Sequence, residues 1–399
     1  MNGFTYLMNP ANRGENETLK LTSYEAVAPA HRFHAGIDGY CPTPLVSLKQ
    51  QAKRLGLGAL LVKDESKRFD LNAFKVLGGS YAIAKYLCEK LEIPVDENAF
   101  ARLCTPEARV ALGEITFVTA TDGNHGRGVA WAARKFGHKA VVYMPKGTAP
   151  ERLENIQKLG AQAEITPYNY DDAVRLADRM AKEHGWVVVQ DTAWPGYEET
   201  PTHIMQGYTT IAGEIEQQIA QNGYPKPTHL FMQAGVGSVA GAMTGYFAAQ
   251  WGEECPTIVI VEPDKADCLF RTAKANDGSI HIVTGDMDSM MAGLCCGEPC
   301  TVSWEILKHH ATAFVSCGDG YAARGMQMLG RPLEGDTAII SGESGAVTAG
   351  VVRGIMTEPR LKEFRQQLGL NETSCVLVIS TEGDTDQENY RRVMQETIE

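Results

Sequence analysis

Residues 115–168 read ITFVTATDGNHGRGVAWAARKFGHKAVVYMPKGTAPERLENIQKLGAQAEITPY, and they contain the clearest structural pattern in the chain. Short β-branched runs (ITFVTA, AVVYMP, AEITPY) alternate in this segment with helix-like stretches (AWAARKF, ERLENIQKLG). The alternation continues as far as residue 263, with the further predicted strands WVVVQD, HLFMQA and TIVIVEP. The stretch SVAGAMTGYFAAQW, between the last two of these strands, is a predicted helix. Strands that alternate with helices favour parallel sheets covered on both faces. We therefore predict an α/β fold that binds its ligand beyond the carboxyl ends of the strands.

The overall composition limits the classes of function. The chain has 399 residues, 44% of them hydrophobic, which is enough for two ordinary domains or one large one. Its 37 Lys and Arg against 49 Asp and Glu give a formal net charge of −12, which on average repels nucleic acid and anionic membranes. Residues 1–20 lack an apolar core of signal-peptide length, and no later segment approaches the roughly 18 apolar residues of a membrane span. We expect a cytoplasmic protein.

The ten cysteines are scattered through predicted strands and helices, so we expect reduced thiols rather than a disulfide framework. The tightest cluster, Cys295, Cys296 and Cys300, lacks the paired spacing of a structural zinc site, and no metal is expected. Whether Cys268 pairs with a cysteine of this cluster depends on a distance that the sequence does not contain.

The first loop of interest follows ALLVKDE and reads SKRFDLNAFKVLGG from Ser66 to Gly79. It places Lys75, preceded by Phe74, near the start of a predicted helix. A lysine amine reacts with an aldehyde only when it is partly desolvated or near positive charge, because the ammonium form has no lone pair. A solvated surface lysine is the common alternative. Lys75 is therefore a candidate nucleophile that needs support from other loops.

The second loop, TDGNHG at 121–126, opens directly into the predicted helix GRGVAWAARKF. A glycine-bearing turn at a helix N-terminus presents free backbone N–H groups and the positive end of the helix dipole, which suits a substrate carboxylate. Asp122 and Asn124 could equally be helix caps. His125 lies within the first turn, where a packing or capping role is expected.

The third loop follows HLFMQA and reads GVGSVAG from Gly235 to Gly241. Its glycines let the backbone wrap an anion at the next helix N-terminus, which predicts a phosphate-binding site. The spacing also satisfies G-x-G-x-x-A, with Glu262 about 20 residues further on, as in dinucleotide-binding folds. A nicotinamide oxidoreductase is therefore an alternative, as is a non-catalytic amino-acid-binding protein of similar fold.

Together, NAFK at 72–75, TDGNHG at 121–126 and AGVGS at 234–238 resemble the fold type II pyridoxal-phosphate enzymes, relatives of threonine dehydratase and cysteine synthase. Seven blocks resemble the diaminopropionate ammonia-lyase family more closely, across the chain from about Arg32 onward. In chain order the blocks read LVKDESKRFDLNAFK, TATDGNHGRGVAWAA, VVQDTAW, QAGVGSVAG, VEPDKADC, IISGESGAV and LVISTEGDTD.

The resemblance implies an architecture and partners. Fold type II enzymes have two open parallel-type sheets flanked by helices, in a large domain plus a smaller inserted domain. Matched to this chain, residues 1–80 and 186–399 would form the large cofactor-binding domain, and residues 81–185 would form the small domain. The cofactor, pyridoxal 5'-phosphate, would lie in the cleft between them, and the chain would assemble as a homodimer.

The resemblance also implies roles for individual residues. Lys75 would hold the cofactor covalently, Phe74 would lie beside it, and Asn124 would meet the 3'-oxygen of its ring. Ser380 or Thr381 would approach the pyridine nitrogen, although STEGDTD departs from the glycine pair and asparagine that relatives often have there. The 5'-phosphate would be held by Gly235, Val236, Gly237, Ser238 and Val239.

The implied reaction is elimination of ammonia from D- and L-2,3-diaminopropionate, which yields pyruvate and ammonia. Lys75 would remove the Cα proton, and Asp122 and Asp191 are the candidates for assisting departure of the β-amine. Dehydratase relatives tend to have a small neutral residue where Asp122 lies, so this carboxylate is the candidate for specificity. Glu343, in SGESG, would lie near the substrate amine or the ring. A serine or threonine dehydratase is the alternative function, and a strand-end cap is the alternative role of Asp191.

Overall fold

The computed structural model describes residues 3–9 and 17–396, and residues 1–2, 10–16 and 397–399 of the predicted large domain lie outside the described residues. Within the described residues, the strands form one sheet of seven strands and one of four. The strands are β1 (Phe4–Met8), β2 (Leu45–Ser47), β3 (Ala59–Asp64), β4 (Thr116–Ala120), β5 (Lys139–Met144), β6 (Gln162–Ile165), β7 (Val187–Val188), β8 (His229–Gln233), β9 (Thr257–Pro263), β10 (Ala313–Cys317) and β11 (Cys375–Ser380).

The larger sheet has the strand order β1-β10-β9-β8-β11-β3-β2. Its five central strands pair in parallel, whereas β1 and β2 pair antiparallel at the two edges. Strands β8 and β11 are buried throughout, as in sheets that helices cover on both faces. The predicted parallel-type sheet is confirmed, and the antiparallel edge strands are additions that the strand–helix alternation does not indicate.

The smaller sheet has the order β6-β5-β4-β7, and all its strands are parallel. Strand β7 is shorter than the predicted strand WVVVQD because the side chain of Gln190 takes over the pairing with Ala120. Its Oε1 accepts from the backbone N–H of Ala120 at 2.9 Å, and its Nε2 donates to the carbonyl oxygen at 3.1 Å. Since β7 pairs with β4, this sheet extends past the predicted domain boundary at residue 186.

Helices lie between the strands and cover both sheets. The helix predicted at SVAGAMTGYFAAQW is α10 without a shift at either end, whereas α3 runs without a break across the predicted domain boundary after residue 80. The helices are α1 (Tyr24–Ala35), α2 (Lys49–Leu55), α3 (Val76–Lys90), α4 (Ala99–Leu103), α5 (Pro106–Leu112), α6 (Asn124–Phe136), α7 (Pro150–Gln157), α8 (Tyr170–His184), α9 (Glu199–Asn222), α10 (Ser238–Trp251), α11 (Cys268–Ala275), α12 (Thr301–His310), α13 (Asp319–Gly330), α14 (Glu343–Thr357), α15 (Lys362–Leu368) and α16 (Gln387–Gln395).

The loops after β3, β8 and β11 of the larger sheet and after β4 and β7 of the smaller sheet line one common cavity. This is the edge at which parallel sheets bind their ligands. None of the helices in the described part of the chain combines the length and apolar content that a membrane span requires. Within residues 3–9 and 17–396, no three His, Cys, Asp or Glu side chains are grouped so as to hold a metal ion.

Candidate active site

Lys75 and Asp191 form an ion pair at the base of the cavity. Lys75 immediately precedes α3, Asp191 follows β7, and Nζ of the lysine lies 2.5 Å from Oδ2 of the aspartate. The Lys75 side chain is 18% exposed and that of Asp191 is 2% exposed. Lys75 is thus largely withdrawn from water but still reaches the cavity, which argues against a solvated surface lysine. The Asp191 carboxylate bonds side chains rather than neighbouring amides, so it is not a strand-end cap.

Each member of this ion pair stabilises the charged form of the other. Burial opposes the charge on Lys75, but the Asp191 carboxylate raises the pKa of the amine above its ordinary value. Burial likewise opposes the charge on Asp191, but the Lys75 ammonium lowers the pKa of the carboxyl below its ordinary value. Tyr170 adds a hydrogen bond from its hydroxyl to Oδ1 of Asp191 at 3.2 Å. Lys75 therefore holds a proton that it must lose before its amine can act as a nucleophile.

The glycine loop after β8 forms a cradle at the N-terminus of α10. Gly237 has a φ of +98°, and a Cβ atom there would lie 2.9 Å from Oγ of Ser303, so a larger residue would be strained. The N–H groups of the first turn of α10 have no acceptor within the helix, and the helix dipole adds positive potential at the same place. The Ser238 hydroxyl donates to the carbonyl oxygen of Asp191, which ties the cradle to the loop after β7. The cradle suits a phosphate.

Asn124 does not cap its helix. Gly123 occupies the N-cap position of α6, and no side chain caps that end. The Nδ2 atom of Asn124 instead donates to Oε2 of the buried Glu382 at 2.5 Å. Asn124 lines the cavity, so a ligand that bound its amide would compete with Glu382. Glu382 belongs to STEGDTD, the block that departs from the pattern of relatives. This departure is the one feature of the sequence that could have indicated Glu382 as a site residue.

The two hydroxyls predicted near the pyridine nitrogen have different surroundings. Thr381 lines the cavity, and its Oγ1 accepts a hydrogen bond from Nε2 of Gln233 at 3.0 Å. Ser380 ends β11 with its Oγ donating to Oγ of Ser341 at 2.8 Å, and it is not among the residues that line the cavity. Of the two, Thr381 is therefore the hydroxyl that a bound ring could reach.

Asp122 lies where this inner cavity opens into an outer one of about 350 Å³. Its Oδ2 accepts from Nη1 of Arg152 at 3.0 Å, and Nη2 of the same guanidinium donates to Oε1 of Glu343 at 2.9 Å. Asp122 is thus engaged in an ion pair rather than in a helix cap. Glu343 lines the outer cavity, and burial together with the nearby Glu382 raises its pKa to about 8, although Arg152 acts in the opposite direction.

The inner cavity contains the features that pyridoxal 5'-phosphate requires, namely a desolvated lysine, a phosphate cradle and an aromatic neighbour. Two of its lining atoms, Oη of Tyr208 and Oε1 of Gln233, are buried without a hydrogen-bond partner in the described part of the chain, as expected where a polar ligand binds. The predicted site residues that line it are Phe74, Lys75, Asp122, Asn124, Asp191, Gly235, Val236, Gly237, Ser238, Val239 and Thr381. The residues fit the cofactor.

Comparison with known proteins agrees with this fit. A family model described as "Pyridoxal-phosphate dependent enzyme" matches residues 37–380, so the chain belongs to this class of enzymes. The nicotinamide oxidoreductase and the non-catalytic binding protein are thereby rejected.

Within this class, the diaminopropionate ammonia-lyase of Salmonella typhimurium is 52% identical over 363 residues, which cover 91% of this chain and 90% of that protein. The crystal structure of the selenomethionine-incorporated holo diaminopropionate ammonia lyase from Escherichia coli superposes with a TM-score of 0.92 at 48% identity, covering 99% of this chain and 97% of that one. The structure of that enzyme with an aminoacrylate-PLP azomethine reaction intermediate gives a TM-score of 0.90 at 47% identity, with the same coverage. The chain therefore belongs to the diaminopropionate ammonia-lyase family.

Several site residues were not identified from the sequence: Arg152, Tyr170, Tyr208, Gln233 and Glu382. Tyr170 and Arg152 lie on α8 and α7, well separated from the other site residues in the sequence, and only the folded structure brings them to the site.

All cysteines in the described residues are free, including Cys268, whose Sγ lies 3.9 Å from the carbonyl oxygen of Gly235.

Proposed function

We propose that this chain eliminates the β-amine of 2,3-diaminopropionate and that pyruvate and ammonia are the products. The observation that carries the proposal is that Lys75, Asp191 and Asp122 line one cavity, so that the lysine shares it with two carboxylates. The identity to curated diaminopropionate ammonia-lyases supports the same substrate. A β-hydroxy substrate has no second ammonium to pair with Asp122, which favours the diamine over serine or threonine.

The cofactor would be held by the residues of the inner cavity. Lys75 would bind its aldehyde, the loop from Gly235 to Val239 would hold its phosphate, and Thr381 would face the pyridine nitrogen. When bound, pyridoxal 5'-phosphate supplies an electron sink that stabilises the negative charge left at Cα of the substrate. A hydroxyl at the nitrogen, in place of a carboxylate, keeps the ring largely unprotonated and favours prompt elimination.

Lys75 moves the first proton in the proposed reaction, and Asp191 stabilises the charge that results. Nζ of Lys75, once released, removes the proton from Cα of the substrate. The ammonium that results lies next to Asp191, whose carboxylate is 2.5 Å away and stabilises the positive charge. Because both groups are largely buried, this charge pair is stronger than it would be in water.

Asp122 acts on the β-amine. Amide ion is too basic to leave, so the β-nitrogen must depart in protonated form. A carboxylate at the opening of the cavity accepts hydrogen bonds from the β-ammonium and keeps it protonated until the C–N bond breaks. Asp122 is also a second base, separate from Lys75, and this pair of bases accounts for the use of both D- and L-isomers.

The experiment that tests this proposal compares substrates on one purified holoenzyme. Pyruvate release is measured from D- and L-2,3-diaminopropionate, from D- and L-serine and from L-threonine, for the wild-type enzyme and for Asp122→Ala. We expect the diamine to be the best substrate of the wild type and to lose most of its turnover in the variant. Preference for serine in the wild type would favour the dehydratase alternative, and unchanged diamine turnover in the variant would remove the proposed role of Asp122.

We further propose that the chain works as a homodimer in the cytoplasm. The charge of −12 and the soluble-enzyme character of its composition support the location, and the resemblance to fold type II enzymes supports the dimer. Light scattering of the purified protein should give twice the chain mass of 43.5 kDa. A monomer mass at micromolar concentration would contradict the dimer.

A further inference from the structure

One guanidinium joins Asp122 to Glu343, and all three residues line the outer cavity. Arg152 donates through Nη1 to Asp122 at 3.0 Å and through Nη2 to Glu343 at 2.9 Å and to Oγ1 of Thr385 at 3.3 Å. Arg152 is 5% exposed, so these contacts are shielded from solvent. Its two terminal nitrogens thus have acceptors from three separate segments of the chain.

The acceptors lie in segments that are connected to two different sheets. Asp122 follows β4 of the smaller sheet, and Arg152 itself lies on α7, which connects β5 and β6 of that sheet. Glu343 begins α14 and Thr385 follows β11, both in the part of the chain that builds the larger sheet. The arginine therefore ties the loop that bears Asp122 to the other wall of the cleft.

The stem of Arg152 also packs directly on the loop that bears Asp122. Gly123 has a φ of +152°, and a Cβ atom there would lie 3.3 Å from Cδ of Arg152 and 3.5 Å from its Cβ and Cγ. The arginine stem therefore lies at about van der Waals distance from the side-chain position of Gly123. The loop and the arginine are thus fitted to one another through apolar contact as well as through the ion pair.

We propose that Arg152 is a positioning residue for the elimination, which fixes the Asp122 carboxylate in the orientation that meets the substrate. The inference rests on the proposed function of Asp122. A carboxylate at a cavity opening has rotational freedom, and a planar guanidinium anchored at Glu343 and Thr385 removes that freedom. Lysine has a single point charge and cannot reach Asp122 and Glu343 in the same geometry. Misplacing a reacting group by about 1 Å can cost about a hundredfold in rate.

The test uses the isomer ratio, which a general loss of structure does not change. The rate constant kcat is measured for D- and L-2,3-diaminopropionate in the holoenzymes of wild type, Arg152→Met, Arg152→Lys, Asp122→Asn and the Arg152→Met/Asp122→Asn double variant. Lys158→Met is the matched control, because it removes an exposed cation, paired with Glu154 at 3.6 Å, just after the last residue of α7. Cofactor content by absorbance should stay unchanged in the two Arg152 single variants and in Lys158→Met, since neither residue lines the inner cavity.

We expect Arg152→Met to lower kcat by about ten- to a hundredfold for the same isomer that Asp122→Asn impairs more. The loss should be smaller for the other isomer, for which Asp122 assists only the departure of the β-amine. Arg152→Lys should recover part of the loss, Lys158→Met should match the wild type, and the double variant should be no slower than Asp122→Asn. Equal loss for both isomers, or losses that multiply in the double variant, would overturn the inference. If Arg152→Met does not fold, Arg152→Lys is judged by the same ratio. A wild type that releases no pyruvate from either isomer would instead refute the proposed function.

Discussion

At the residue scale, the ion pair of Lys75 and Asp191 balances the charge inside the cavity whenever the lysine amine is protonated. When the amine of Lys75 takes the Cα proton, the new ammonium forms 2.5 Å from a carboxylate that burial alone would disfavour. Removing one partner of a buried pair leaves an uncompensated charge, which costs far more than the pair itself contributes. Substitution of either residue should therefore impair turnover.

Asp191→Asn tests this dependence. The amide keeps the shape of the side chain but cannot balance the Lys75 ammonium, so we expect kcat for diaminopropionate to fall at least about a hundredfold. Cofactor binding should persist, because Lys75 and the cradle after β8 are unchanged. Steady-state kinetics and the absorbance of the bound cofactor measure the two quantities. Wild-type turnover in this variant would show that Asp191 has no part in the chemistry.

Glu343→Gln tests the charge cluster at the opening. Burial raises the pKa of Glu343 from its ordinary value of 4.5 to about 8, so the folded protein binds this proton more tightly than the unfolded chain does. The resulting stabilisation is complete below pH about 4.5 and is lost as the pH rises through about 8. We expect the wild type to lose thermal stability relative to Glu343→Gln over that window. Calorimetry of both proteins measures the difference, and parallel stability curves would contradict the raised pKa.

The candidate residues differ in how well the sequence can indicate them. Lys75, Asp122 and Asp191 each follow a predicted strand, where α/β sheets place their ligands, and a resemblance to known motifs covers all three. Arg152 has no such mark, because it is an ordinary arginine on a helix until the fold brings Glu343, 191 positions away, within 2.9 Å. Pairings of this kind depend on three-dimensional proximity and are not contained in local sequence patterns.

At the element scale, the N-terminus of α10 combines three features that favour a phosphate: free N–H groups, the helix dipole and a glycine loop. The sequence predicted this helix without error because its apolar run is bounded by glycine at both ends, Gly237 and Gly252. The strand predicted at WVVVQD is longer than β7, because nothing in this stretch shows that the Gln190 side chain replaces the main-chain pairing. The antiparallel edge strands β1 and β2 likewise depend on contacts outside the repeating pattern.

Gly237→Ala tests the cradle, with Gly252→Ala as its matched control. Both glycines flank α10 with positive φ, +98° and +53°, so both substitutions should cost about 1–3 kcal/mol of stability from backbone strain. A Cβ atom at 252 meets nothing within 4 Å, whereas one at 237 meets Ser303. We expect only Gly237→Ala to weaken pyridoxal 5'-phosphate binding, by about tenfold or more, in fluorescence titration of the apoenzyme. Equal affinities for the two variants would place the phosphate elsewhere.

At the scale of the whole molecule, the strands of two sheets present their carboxyl ends to one cleft. A buried charge cluster, whose residues do not line the cleft, stabilises the larger sheet. Lys63 and Arg68 share Glu214 at 2.6 Å each, and Arg68 also pairs with Glu65 at 2.8 Å. The cluster ties β3, and the segment that leads to Lys75, to α9.

The class of fold was predictable from strand–helix alternation. The division into domains stays a proposal, and we propose that the small domain includes β7 because this strand pairs with β4.

Glu214→Gln should destabilise the whole molecule. It leaves Lys63 and Arg68 with Glu65 as the remaining carboxylate of the cluster, and breaking a buried pair costs about 3–5 kcal/mol. Glu199→Gln is the control, since Glu199 is an exposed carboxylate at the start of the same helix, α9. Thermal unfolding of the two variants gives the comparison. Equal midpoints would mean that the buried cluster contributes no more than a surface carboxylate.

The most direct test of the central claim is the ratio of ammonia to pyruvate that the purified holoenzyme releases from 2,3-diaminopropionate. Loss of the β-amine followed by hydrolysis of the remaining enamine nitrogen requires two molecules of ammonia for each pyruvate. We expect that ratio, with no product from Lys75→Ala. Absence of pyruvate, or equal release from wild type and Lys75→Ala, would contradict the proposal that Lys75 carries the elimination.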